Sequence, residues 1–581
     1  MLNAEQLEHR RHSLAHLLAA AVMELWPDTK RTIGPAIENG FYFDFEFAKP
    51  ISDADLPMIE AKMRELLPSW TSFERSELSP ADAKKEYPGN QYKHELIDEF
   101  SSQGQTLTFY KSGAYWDLCR GGHAEGISEI DPKSFKLTKL AGSYWRGNEK
   151  NAQLTRIYGI AFETKAELAD YVKMMEEAEK RDHKKLGKEL GLFVFSDLVG
   201  SGLPLWTVKG TMLRTTLDEF VWSLRKEKGY GRVTIPHITK KDLYIKSGHW
   251  AKFEDELFKI NTREGHEFAM KPMNCPHHTQ IFDSEPRSYR DMPQRYAETT
   301  MVYRDEQSGE LSGLSRVRSI TQDDAHVFCR KSQIEQEAFG VWDIIDRFYS
   351  TFGFELKIRL SLHDPAKMEK YLGTPETWKE AEDQLRAMIT KRGKEYIEGV
   401  GEAAMYGPKI DFMGLDAIGR KHQVATIQLD FNQPEGFDLS CINEQGEKER
   451  IVMIHCAIMG SIERFLSVLI EHYAGAFPVW LSPVQVAVLP VADRHNDFAF
   501  ALVKELKDAG LRAQVDDSTE SVGKKIRGAE KGKMPVMLVV GDKEVESGEL
   551  TIRRRGQADQ EQMKKEDFIK QLVEMVVARK G

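Results

Sequence analysis

The chain has 581 residues, 41% hydrophobic and 30% charged, with a formal net charge of −10. That size implies three or four domains, and the acidic balance excludes a generic nucleic-acid coat while leaving room for local basic patches. Five cysteines without short spacings argue against a disulfide framework. No apolar run approaches the ~18 residues of a membrane helix, and the N-terminus MLNAEQLEHRR lacks a signal core, so a reducing cytosol is the expected compartment.

Residues 9–26 place Leu14, Leu17, Leu18, Ala21, Val22 and Leu25 at helical spacing. His12 and His16, four apart, share a helix face. Alone, such a pair is most simply ordinary packing. The segment YWDLCRGGH (115–123) adds Cys119 and His123, and the four together can bind zinc or orient a water for hydrolysis. The strand-like GPAIENGFYFDFEF (34–47) is expected beside them, with Lys93 and Asp117 adding charge. Residues 163–196 are nearly all helix formers and charges, expected as one solvated connecting helix.

An amphipathic helix is expected over roughly 211–228, followed by the strand RVTIPHI and the segment SGHW with His249. EFAMKPMNCPHH (267–278) places Cys275 after a strand, between two prolines. In the stretch 295–330, Arg304, Arg316 and Arg318 precede ITQDDAHVF, which reads as a strand. Strand alternation sends Gln322, Asp324 and His326 to one face and Asp323 to the other. Arginines beside that face suit a polyanion, since a guanidinium can hold two phosphate oxygens at once. AMYGPKIDF (404–412) carries Tyr406, Lys409 and Asp411. Gln423 and Gln428, in HQVATIQ, are an odd number of residues apart, so they share a pocket only if that strand is bulged or one lies at its end. His455 ends a strand and Arg464 opens the next helix, beyond a turn at Gly460. Alternating strands and helices from 478 onward indicate a small α/β domain with a largely parallel sheet. Lys524, Lys525, Arg527, Lys531, Lys533 and Arg553–Arg555 make it locally basic. The sequence has no GxxxxGK[ST], GxGxxG or HExxH motif, so a nucleotide would have to be held by arginines.

YRDE (303–306) resembles motif 2 of class II aminoacyl-tRNA synthetases and GSIERF (460–465) resembles motif 3; MKPMNCP, RVRSITQDDAH, AMYGPKIDF and GDKEVESG resemble threonyl-tRNA synthetases in particular. The resemblance spans essentially the whole chain. It implies an α+β multidomain protein: an editing domain (1–162), a charged linker helix (163–196), an antiparallel-sheet class II catalytic domain (197–477) and an α/β anticodon-binding domain (478–581). The implied reaction joins threonine to tRNA(Thr) through a threonyl-adenylate. By resemblance, Cys275, His326 and His455 are the ligands of one Zn²⁺ per subunit, drawn from three strands. The fourth position would take the amino and hydroxyl groups of threonine, rejecting valine. Gln322, Asp324 and Tyr406 match threonine-binding residues. Arg304, Arg316, Arg464, Gln423 and Gln428 match ATP-binding residues, with Mg²⁺ expected on the phosphates. Arg304, Arg464, Lys409 and His249 form the expected catalytic set, His249 serving transfer to the tRNA ribose.

Serine shares threonine's hydroxyl and lacks one methyl, a difference worth only ~1–3 kcal/mol. Hydrolysis of Ser-tRNA(Thr) is therefore implied, at His12, His16, Cys119 and His123 with Lys93 and Asp117, and expected to run through ordered water without metal. Glu544 and Arg553 match anticodon-reading residues. A homodimer through the region 211–237 is expected, as is the absence of any membrane partner. Three features depart from the family. Many bacterial members carry about 60 further N-terminal residues; HQVATIQ stands where WQCGTIQ is usual; and NCPHH stands for NCPGH. Another class II synthetase leaves the Cys275, His326 and His455 set unexplained. A non-catalytic tRNA-binding paralogue is at odds with the filled catalytic positions, and a free-standing editing protein with the ligase core.

Overall fold

The computed structural model describes residues 2–128 and 130–580. It divides into two units, residues 1–176 and 177–581.

The first unit is built on the helix Ala4–Leu25. Asn3 caps it, its side chain accepting from Gln6 N–H while Gln6 reaches back. The apolar stripe Leu14–Val22 is fully buried against Phe41, Phe43 and Phe45. Those phenylalanines lie on Gly40–Glu46, the centre of a five-stranded sheet completed by Lys30–Arg31, Ala36–Ile37, Gln153–Ala161 and Phe135–Tyr144. A separate antiparallel sheet, Glu74–Glu77, Thr108–Ser112 and Tyr115–Leu118, presents the segment holding Cys119.

The second unit centres on an eight-stranded sheet. Its order is Gly231–Arg232, Gln294–Tyr303, Ser319–Cys329, Val452–Ser461, Lys421–Asp430, Lys409–Leu415, Glu355–Leu362 and Tyr396–Val400. The first and last pairings are parallel and every pairing between them is antiparallel. The helices Val208–Glu227, Ile334–Phe352 and Ile462–His472 bury apolar faces in one core with these strands, around Trp342, Phe348, Phe465 and Leu466. Where one face of an antiparallel sheet is covered like this, the other is left for a ligand. The C-terminal sheet runs Ala513–Val515, Val486–Pro490, Val536–Val540, Glu549–Arg554, Gln560–Lys564. The first three strands are parallel and the last two antiparallel, so the sheet is mixed.

Two expectations are corrected. Residues 163–196 are not one solvated helix. Lys165–Lys180 ends at Arg181, a second helix spans His183–Glu189, and Phe193–Val194 is a strand. His183, Leu186 and Gly187 are buried, which a wholly solvated linker would not show. RVTIPHI is also not a continuous strand: pairing stops after Arg232 and resumes at Ile238–Lys240 in another sheet. Pro236 has no N–H for a ladder.

Candidate active site

His326 and His455 are direct cross-strand partners on adjacent antiparallel strands. His326 Nε2 lies 3.1 Å from His455 Nδ1. Cys275 comes from a different kind of element: it is the first residue of the helix Cys275–Asp283. The three candidate ligands therefore come from two neighbouring strands and a helix N-terminus, not three separate strands. Their ligand atoms lie within 4.8 Å of one another and all three residues are buried. The outward nitrogens are also engaged. His326 Nδ1 lies 2.8 Å from His278 Nδ1, and His455 Nε2 lies 2.9 Å from Asp430 Oδ2. Burial, then the neighbouring His455, pushes the His326 pKa well below its usual range, leaving a neutral lone-pair donor. Burial, then Asp324, raises the Cys275 thiol; a bound cation would reverse this, since coordination deprotonates a thiol. One sulfur and two imidazoles with their outer nitrogens fixed are a donor set that fits zinc.

The other residues expected at an amino-acid site gather around this cluster. Tyr406 stacks on His455 with ring centroids 4.7 Å apart. Asp324 accepts from Asn274 Nδ2 at 3.0 Å and lies 3.8 Å from His326 Nε2. His249 is fully buried, donating or accepting at Ser247 Oγ (2.8 Å), with Nε2 3.9 Å from Cys275 Sγ. Burial, then His455 and Arg304, lowers its pKa to about 3, so it is neutral at physiological pH. Asp323 points away as strand parity requires. Its Oδ2 accepts from Ile458 N–H and Met459 N–H, and Oδ1 lies 2.5 Å from Arg225. The pairing register shifts between Asp323 and Ala325, so the two strands part at Asp324.

A cavity of about 170 Å³ lies beside this cluster, lined by Gln322, Gln423, Thr426, Gly460, Ser461 and Arg464 among others. Gln423 reaches the same face as Thr426 because the strand is bulged: the register shifts between Phe412 and Met413, with Val424 the extra residue. Both side chains donate to Asp411 Oδ1, at 2.8 and 2.7 Å. Gln428 sits farther along that face, donating to Gly407 O. Asp411 is buried and also receives Ser361, Arg359 and Lys409, the last at 3.3 Å. Arg304 Nε is buried without a hydrogen-bond partner, a donor left for a ligand. Arg316 is exposed and meanwhile paired with Glu306 and Glu310, at 2.6 and 2.9 Å.

In the first unit, His12, His16, Cys119 and His123 come together as one cluster. Cys119 Sγ lies 3.6 Å from His12 Nε2 and 3.4 Å from His123 Nε2. The chain reverses between Cys119 and His123 through Gly121 and Gly122, both at positive φ, a conformation that favours glycine. Burial depresses all three histidines, His16 to about 3, and raises the Cys119 thiol to about 11. The cluster is therefore uncharged and can hold either a water or, with the thiol ionised, a cation. Lys93 and Asp117 form a buried ion pair of 2.8 Å. Asp117 also accepts from Tyr87 and Tyr115 hydroxyls, at 2.6 and 3.0 Å.

In the C-terminal domain, Glu544 accepts from Gly541 N–H at 2.9 Å and from Thr551 Oγ at 2.6 Å. Its first use is thus to cap its own helix, Asp542–Ser547. Arg553 is half-buried on the neighbouring strand Glu549–Arg554. The basic footprint is smaller than the sequence suggested: Lys525 donates to Pro490 O, and Arg555 to Ala476 O and Phe477 O.

Sequence reasoning missed His278 and Asp430, and named Asp411 without giving it a role. The signal for His278 was its place three residues after Cys275, one helical turn away. Asp430 carried none, and the bonds that Asp411 makes could not be read, because cross-strand neighbours are set by register.

Residues 258–473 match the family described as tRNA synthetase class II core domain (G, H, P, S and T), residues 485–575 the anticodon binding domain, and residues 107–158 the threonyl and alanyl tRNA synthetase second additional domain. The fold is that of a class II aminoacyl-tRNA synthetase. A threonine–tRNA ligase of Porphyromonas gingivalis is 50% identical over 560 residues, 95% of this chain and 85% of that one. One from Gloeobacter violaceus is 47% identical over 587 residues, covering 99% and 93%. The crystal structure of the RNA binding domain of threonyl-tRNA synthetase from Cryptosporidium parvum superposes with a TM-score of 0.65 at 37% identity, over 68% of this chain and 98% of that one. The chain belongs to the threonine–tRNA ligase family.

Proposed function

We propose that this protein charges tRNA(Thr) with threonine at the site around Cys275, His326 and His455, and clears serine from mischarged tRNA at the site around His12 and Cys119. The observation that carries the reading is the juxtaposition of a buried Cys-His-His cluster with a cavity ending in Arg464 and Gln423. Amino acid and nucleotide can meet there. The family implies ATP with Mg²⁺.

In the first step the threonine carboxylate attacks the α-phosphate of ATP and pyrophosphate leaves. Arg304 has a free, desolvated donor for the phosphate, where a charge-assisted bond is strong. Arg316 exchanges Glu306 and Glu310 for phosphate, and Arg464 faces it from the cavity wall. Gln423 and Lys409, ordered by Asp411, and Gln428, held by Gly407 O, border the adenylate. Asp324 takes the amino group, with Gln322 and Tyr406 closing the pocket. Cys275, His326 and His455 would hold zinc, which supplies a Lewis-acid partner for the β-hydroxyl that valine lacks. His249 serves the second step as a neutral imidazole able to accept a proton from the tRNA ribose hydroxyl.

At the second site, neutral histidines and a neutral thiol orient a water toward the seryl ester, and the Lys93–Asp117 pair fixes the wall behind. Arg553 and Glu544, whose oxygens keep further lone pairs, are the proposed anticodon contacts. The boundaries proposed for the domains remain 1–162, 163–196, 197–477 and 478–581, the second now a jointed linker. A homodimer is proposed through the helix Val208–Glu227 and the edge strand Gly231–Arg232, tested by light scattering. Among the described residues no helix is long and apolar enough to cross a membrane, and the proposed compartment is the cytoplasm.

ATP–pyrophosphate exchange with threonine, serine, valine and proline tests the ligase reading. Exchange is expected with threonine, weakly with serine, and neither with valine nor proline; proline-dependent exchange would overturn it. The double variant His12→Ala, Cys119→Ala is expected to charge threonine normally and to accumulate Ser-tRNA(Thr). Undiminished clearance of Ser-tRNA(Thr) would remove the editing assignment.

A further inference from the structure

The jointed linker makes a contact that the reaction above does not use. Arg181 donates to Glu471 O and His472 O, at 3.4 and 2.9 Å, capping the C-terminus of Ile462–His472, where a cation is favoured. That helix also carries Arg464. Two residues on, His183 is 3% exposed and both its nitrogens are committed. Nδ1 lies 2.6 Å from Glu471 Oε1, which also accepts His183 N–H at 3.2 Å. A carboxylate only accepts, so Nδ1 carries the proton and Nε2 is the acceptor. Nε2 receives Leu314 N–H at 3.1 Å. The second oxygen of Glu471 is paired with Arg420 at 2.6 Å. Asp182, His183 and Glu471 are close enough to resemble a cation site. These commitments, with Asp182 capping Lys184 N–H, leave His183 no lone pair for one.

Leu314 sits in the loop that carries Arg316. It is fully buried, and a tight turn joins Ser312 to Arg316, each donating its N–H to the other's carbonyl. The loop touches the Arg464 helix once more, through Ser315 Oγ and Ser467 Oγ at 3.3 Å. Elsewhere it borders open space: Leu311 and Gly313 line a cavity of about 560 Å³. Gly313 has φ +51, and a Cβ there would run into His183 Nε2. The glycine is what lets the imidazole reach the backbone.

We propose that His183 is a positioning residue for ATP: its Nε2 holds the Leu314 amide, and so sets where the Arg316 loop stands relative to Arg464. This rests on the reading of Arg316 as a phosphate ligand. Small displacements of such a group are costly, since about 1 Å of misplacement can reduce rate by as much as ~100-fold.

The test separates the two nitrogens. In His183→Gln the amide reaches the Nε2 position and keeps an acceptor for Leu314. In His183→Asn it reaches only the Nδ1 position, keeping the bond to Glu471 and losing the loop. In pyrophosphate exchange, H183N is expected to raise KM for ATP about tenfold or more, with KM for threonine within about twofold. H183Q is expected to stay within about threefold of the parent, and Gly313→Ala, which displaces the imidazole, to behave like H183N. The proposal is overturned if H183N leaves KM for ATP unchanged, if H183Q and H183N are equally impaired, or if both KM values rise in step with a falling Tm. Should H183N fail to fold, Gly313→Ala against H183Q gives the same comparison. Arg316→Ala separates the two readings. If it leaves KM for ATP unchanged while H183N raises it, the Arg316 assignment fails and the tether stands. If it raises KM and H183N does not, the tether fails.

Discussion

Asp430 lies outside every motif and His278 closes the segment NCPHH, and together they set which nitrogen of His455 and of His326 faces the other. Partners of this kind fix ring orientation and raise ligand basicity, and their loss typically weakens metal binding 10–100-fold. Asp430→Asn is therefore expected to lower zinc affinity by about one to two orders of magnitude, read by competition with a chromogenic chelator. Cys275→Ser is expected to lose both the metal and threonine activation. Retention of one zinc per chain in that variant would refute the ligand assignment. Arg304 offers the complementary case. Its Nε is buried without a hydrogen-bond partner and so is free to donate to a ligand.

Two irregularities in regular elements build the site. The extra residue Val424 turns Gln423 onto the face that holds Thr426 and Gln428. A regular strand would put the two glutamines on opposite faces. Deleting Val424 would leave the two glutamines an even four positions apart and so still on one face, whereas Gln423→Ala is expected to raise KM for ATP by about tenfold, measured by pyrophosphate exchange. An unchanged KM would place Gln423 outside the nucleotide site. The second irregularity is the parting of strands at Asp324, held by Asp323 bonding Ile458 and Met459. Alternation alone was enough to separate Asp323 from Asp324. It could not show that Asp323 stitches the bulge, because that bond depends on a strand more than 130 residues away.

At the scale of the molecule, buried neutral histidines link stability to pH. His12, His16 and His123 are all depressed by burial, His16 to about 3. Below about 6.5 the unfolded chain binds protons that the folded one does not. Stability is thus fully present above that pH and is lost as pH falls, by at most about 1.4 kcal/mol per histidine per pH unit. Thermal melts of the full chain at pH 7.5 and 5.5 are expected to show a lower Tm at 5.5. An equal Tm would mean that these rings are protonated in the fold.

The residue types of both candidate sites were legible in the sequence, because they depend on which side chains occur and at what local spacing. His12 with His16, Cys119 with His123, and the arginines flanking a Gln-Asp-His strand all carry short-range signals. The antiparallel core, the editing module and the basic C-terminal domain followed from the same segments. Tertiary structure decided what long-range register controls: that Cys275 opens a helix, that Asp430 backs His455, that Val424 is bulged, and that the charged linker breaks at Arg181 to tie His183 to Leu314. Periodicity reports the face on which a side chain lies. It is blind to what a distant strand or loop brings to that face, and hydrogen bonds are made with those neighbours.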